Sequence, residues 1–72
     1  MKTQIEKAFV YYPPTVQQIA VYEALRHEAR IFAERLERVV PPSRELSLAI
    51  TKLEEVVMWA NAGIARNNGP NT

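Results

Sequence analysis

Side-chain catalysis by a hydroxyl or thiol nucleophile needs a base held against it, and this 72-residue sequence supplies one histidine, His27, and no cysteine. Glu23 precedes His27 by four residues, so a helix would bring the two onto one face. That pair is the nearest approach to a metal or acid–base site, and the reading preferred for it is an exposed surface ion pair. Glu54 and Glu55 are adjacent, so on a helix they diverge by about 100° and do not converge on one substrate. Gly63 and Gly69 do not make a phosphate-cradling loop. A zinc site built on His27 alone would need carboxylates or a second chain. The reading is a non-enzymatic protein with no metal and no cofactor.

Binding chemistry is better represented. Nine Lys and Arg against eight Asp and Glu give a net charge of +1, too small an excess for a protein that coats a DNA or RNA polymer. Six of the nine cations are arginines: Arg26, Arg30, Arg35, Arg38, Arg44 and Arg66. Guanidinium groups suit local, bidentate contact with phosphate or carboxylate. The plain alternative is that most of them pair with nearby glutamates. Arg26 stands apart because it shares a seven-residue stripe with Ile19, Ala33 and Val40, all apolar. A guanidinium in that company is drawn to a subunit boundary where it must meet an anion, unless it snorkels past its neighbours to a glutamate.

Tyr11 and Tyr12 sit beside Pro13 and Pro14 on a stiff, amphipathic stretch. A tyrosine offers a π face to a flat heterocycle and a hydroxyl to orient it. The competing reading folds the stretch back so that both rings plug one end of the protein. Met58 and Trp59 are assigned to a subunit interface. Arm aromatics with an interface arginine describe a pocket for a base and a phosphate, between subunits.

The elements that must position these residues are punctuated by proline at 13–14, 41–42 and 70. Residues 1–14 read as an N-terminal arm, with a short helical turn around Ile5 to Phe9 and an extended run to Pro14. Residues 15–40 read as a helix opened by a Thr15/Gln18 capping box. Its expected seam is Tyr22, Leu25, Ala29, Phe32, Leu36 and Val39, at 3-4 spacing. After a turn at 41–43, Ser43 caps a second helix over 44–67, with an expected seam of Leu46, Ala49, Leu53, Val56, Ala60 and Gly63. Asn67-Asn68-Gly69-Pro70 is a stop signal, and 68–72 is a tail. The predicted fold class is all-α: an antiparallel two-helix hairpin with a short arm.

One hairpin seam does not absorb the apolar content of 47%. Ile50, Val57 and Ile64 form a further stripe, expected to meet another copy of the chain. A core of this size contributes only about 3–5 kcal/mol unless stapled, and without disulfides the staple is assembly. A compact homo-oligomer is therefore expected. No run of about 18 apolar residues exists, and the first residues carry an acid in place of an apolar signal core, so a soluble, cytoplasmic protein without membrane contact is expected.

The run from Pro41 through Arg66, above all Lys52-Leu53-Glu54-Glu55 followed by Met58-Trp59-Ala60-Asn61-Ala62-Gly63-Ile64-Ala65-Arg66, resembles the hairpin domain of bacteriophage anti-CBASS cyclic-nucleotide sponges. The same hairpin is shared with some phage anti-Thoeris proteins, and the likeness extends over nearly the whole chain. The resemblance implies a helical hexamer without catalysis that binds cyclic dinucleotides between protomers, and in some members cyclic trinucleotides at separate sites. It places Tyr11 on a base and Arg26 on a phosphate, with arginine where the family pattern has lysine; Tyr12 is the alternative to Tyr11 if the arm is registered one residue along. It makes Arg66 the candidate for the trinucleotide site, whose threonine has no counterpart near Glu28. The alternative from another class is a structural or adaptor hairpin that binds a partner helix through its apolar stripes. A small DNA-binding module is disfavoured by the charge.

Overall fold

The computed structural model describes residues 3–67, which form three helices: α1 (Gln4–Phe9), α2 (Val16–Val39) and α3 (Arg44–Arg66). Each start is fixed by a local side chain that satisfies a helix amide otherwise left without an acceptor. In α1, Thr3 Oγ1 accepts the Glu6 amide at 3.2 Å, and the Glu6 carboxylate accepts the Thr3 amide at 3.3 Å. In α2 the same reciprocal box joins Thr15 and Gln18 at 3.1 and 3.0 Å. Ser43 caps α3 by accepting the Leu46 amide at 3.1 Å, while its hydroxyl donates to the Pro41 carbonyl at 2.9 Å.

The Thr3 box carries the same signature as that of Thr15 and extends the arm helix one residue ahead of the expected turn. At the far end Asn67 Nδ2 donates to the Gly63 carbonyl at 2.8 Å. The remainder of the stop signal, from Asn68 onward, lies outside the described residues.

α2 and α3 pack against each other as an antiparallel hairpin across the short Val40–Ser43 turn. The packed faces differ from the expected seams in register. On α2 the half-buried positions are Val21, Tyr22, Leu25, Ala29, Ala33 and Leu36, followed by Val40 at its C-cap, whereas Phe32 and Val39 are exposed at 51% and 63%. On α3 they include Leu46, Ile50, Leu53, Val57, Ala60, Asn61 and Ile64, whereas Ala49, Val56 and Gly63 are exposed.

The correction on α2 is one of pitch. A heptad template assumes 3.5 residues per turn, but a straight α-helix turns about 100° per residue and drifts by about 20° per heptad. Over two heptads that drift carries Phe32 and Val39 off the contact line and brings Ala33 and Val40 onto it. On α3 the seam takes a step of four directly after Leu46, which puts Ile50, Val57 and Ile64, expected on a neighbouring copy, into the hairpin.

The hairpin leaves no hydrophobic side chain buried among the described residues, and Gln18 is the one buried residue. The accessible surface is 6015 Å², against about 4,500 Å² for a folded monomer of this mass by the usual size scaling. The radius of gyration is 14.9 Å, against about 11 Å for a compact domain of this length. What the hairpin lacks in core it carries on its outer faces, where Val56, Met58 and Trp59 are exposed at 60%, 57% and 62%.

Candidate functional site

Arg26 lies two-fifths of the way along α2 and lines a groove of about 390 Å³ between the two long helices. Ala29, Ala33, Leu53 and Val57 give the groove an apolar floor, while Arg30, Glu54 and Asn61 add polar groups to it. The ion pairs among the described residues are Arg30–Glu34 at 3.8 Å and Lys52–Glu55 at 3.4 Å, both exposed. Such pairs are weak in solvent. Arg26 takes part in neither, although Glu54 lines the same groove. Nor do Arg35, Arg38, Arg44 or Arg66, so general pairing of arginines with glutamates is not what the structure shows. Asn61 Oδ1 is sealed from solvent without a hydrogen-bond donor, an arrangement that costs about 1–3 kcal/mol.

The two tyrosines are at a different place. Val10 leaves α1 in extended geometry (φ −92°, ψ 140°), and neighbouring side chains of an extended segment alternate in direction. Tyr11 is 82% exposed, whereas Tyr12 is half-buried with its hydroxyl sealed. Both line a groove of about 350 Å³ closed by Pro13, Thr15, Gln18 and, from the end of α3, Ala65. Arg66, the half-buried last residue of α3, is the next residue along from Ala65. There its charge complements the negative end of the helix dipole.

Within one chain, then, Tyr11 and Tyr12 share a groove and Arg26 lines another. Eight residues of helix separate Gln18 from Arg26, about 12 Å of rise. A single hairpin does not bring base-stacking and phosphate-binding groups into one pocket.

Sequence reasoning passed over two side chains. Gln18 was fully accounted for by its cap, and Asn61 was hidden because the heptad template placed Ala60 and Gly63 on the seam instead. The residue pair Glu23 and His27 forms no ion pair, and no cluster of three or more His, Cys, Asp or Glu able to hold a metal occurs among the described residues.

A family model described as the Acb2/Tad1 hairpin domain matches residues 1–65. No curated protein and no solved structure matches the chain at a significant level.

Proposed function

The chain belongs to the Acb2/Tad1 hairpin family, the family of phage anti-defence sponges, and on that premise we propose that it sequesters cyclic oligonucleotide second messengers without turning them over. Cyclic dinucleotides bind in pockets between protomers of a homo-oligomer, hexamer favoured, in the cytoplasm of the infected cell. Arg66 is the candidate for a separate cyclic trinucleotide site, one that lacks the threonine of the family pattern. Removal of the messenger silences the bacterial signalling that depends on it.

The observation that carries this reading is the division of the binding groups. An 82% exposed tyrosine and an arginine with no carboxylate partner line two grooves of a hairpin that buries no apolar side chain. Assembly supplies what each half-site lacks: a second copy can bring its arm to a first copy's Arg26. Arg26 then meets a phosphate over an apolar floor, where exclusion of water strengthens a charge-assisted contact. The base lies on the Tyr11 ring.

Adding the protein to a cyclic dinucleotide should lower the free ligand in proportion to protein, and heating should return it intact. Recovery of linear or cleaved nucleotide would show turnover and end the sequestration reading.

A further inference from the structure

Gln18 is 8% exposed, the most enclosed residue of the described chain, and it lines the arm groove beside Tyr11 and Tyr12. Its orientation is fixed by chemistry. The backbone N–H of Thr15 donates to Oε1 at 3.0 Å, and only the oxygen of a carboxamide can accept that proton. The amide nitrogen therefore occupies the other position, with two N–H donors. It makes no hydrogen bond to any described residue, and it is not among the atoms sealed from solvent. Here a donor pair on a side chain anchored by its cap is left to solvent or to a ligand, on a residue that lines the groove of the arm tyrosines.

We propose that Gln18 reads the edge of the base that stacks on Tyr11, an assignment that rests on the sequestration function above. With Oε1 committed to the helix cap, the side chain offers donors and seeks acceptors. A base presenting a ring carbonyl at the edge remote from its sugar is accepted, as with O4 of uracil or O6 of guanine. A base presenting an exocyclic amino group there, cytosine or adenine, sets donor against donor at that position, and its ring-nitrogen acceptor (N3 of cytosine, N1 or N7 of adenine) is reached only by shifting the base in the groove. The O2 carbonyl common to both pyrimidines lies beside the glycosidic bond, where the ribose shields it. Gln18 thus makes the arm site selective for keto-bearing bases.

Uracil and cytosine differ at this edge alone, so cyclic di-UMP and cyclic di-CMP are the probes. Calorimetry on the intact oligomer should show the uracil ligand binding about tenfold more tightly, the scale of one desolvated donor–acceptor mismatch. Gln18→Glu retains the cap, because glutamate is the other residue a capping box takes, while it exchanges the amide donors for an acceptor oxygen. In that variant the ratio should fall to unity or invert, as the carboxylate accepts from the cytosine amino group and repels the uracil carbonyl. A residue that serves only as a cap would leave the ratio unmoved.

Equal affinity of the parent for both ligands, tighter binding of cyclic di-CMP, or an unchanged ratio in Gln18→Glu overturns the inference while leaving sequestration in place. Failure of the parent to bind either ligand overturns the sequestration reading, and this assignment with it. The ratio measured on the parent does not depend on how the variant folds.

Discussion

At the scale of single residues, Arg26 and Tyr11 are distinguished from their neighbours by what they do not touch. Arg30 has Glu34 beside it and Tyr12 is tucked in, but Arg26 has no carboxylate partner and Tyr11 presents most of its surface to solvent. Arg26→Ala should reduce cyclic dinucleotide affinity by about 1.5–3 kcal/mol, the value of a hydrogen bond to a charged group, with the oligomer intact by sedimentation. Arg26→Lys keeps the charge but not the planar fork, and should recover part of the loss. Tyr11→Ala should cost about 1–3 kcal/mol and Tyr11→Phe less, because the ring face carries the stacking. Tyr12→Ala should act differently, lowering the melting temperature more than the affinity, since its side chain fills the hairpin end. Calorimetry and thermal melts on these variants separate the roles; an Arg26→Ala protein that binds like the parent would remove the phosphate assignment. These candidates were legible because Arg26 interrupts an apolar stripe and Tyr11 lies beside paired prolines. Gln18 was not, because a capping-box residue at a helix start already has a complete structural explanation, and only its enclosure shows that half of its hydrogen-bonding capacity is left over.

At the scale of the helix, ends and faces were readable to different degrees. Ends are set by local chemistry: Thr15 with Gln18, Ser43, and the prolines at 13–14 and 41–42 define α2 and α3 within a residue of where they lie. Faces depend on where steps of four replace steps of three: drift of about 20° per heptad exchanges Phe32 for Ala33, and a step of four after Leu46 exchanges Ala49 for Ile50. The exchange alters what each stripe is for. Ala49, Val56, Trp59 and Gly63 now make the outward face of α3, at 3- and 4-residue steps interrupted by Lys52. Gly63 is informative there. A Cβ built at that position meets nothing within 4 Å in the hairpin, yet glycine inside a helix costs about 1 kcal/mol relative to alanine. The hairpin gains nothing from it, and a close approach by a second copy is the role for this glycine that the proposed assembly supplies. Gly63→Ala should therefore weaken assembly, although in an isolated helix it would stabilise. Trp59→Ala should weaken assembly further, by about 3–5 kcal/mol if the ring is buried between copies. A Gly63→Ala protein that melts higher and sediments like the parent would place this face outside the interface.

At the scale of the whole molecule, surface area puts a measure on the assembly expected from the sequence. The hairpin exposes roughly 1,500 Å² more than a folded monomer of its mass should, by the size scaling that gives about 4,500 Å². A standard protein–protein interface removes about 800 Å² from each partner, so the excess corresponds to roughly two interfaces per chain. A chain with two interfaces either closes into a ring or stack of defined size or grows without limit, and closed symmetry is the usual outcome for a soluble protein. Apolar composition and the absence of cysteine pointed to assembly but gave no measure of it, since neither reports how much surface a two-helix hairpin fails to cover. Folding and association should then be one process. Sedimentation velocity at micromolar concentration should show a single species several times 8.2 kDa, with the hexamer expected. On dilution, helical ellipticity should fall together with mass, and the melting temperature should rise with protein concentration, as mass action requires when only the assembled state is stable. A species of 8.2 kDa with full helical signal and a concentration-independent melting temperature would show that the hairpin stands alone. It would also leave Tyr11 and Arg26 in separate grooves, with no neighbouring chain to unite them.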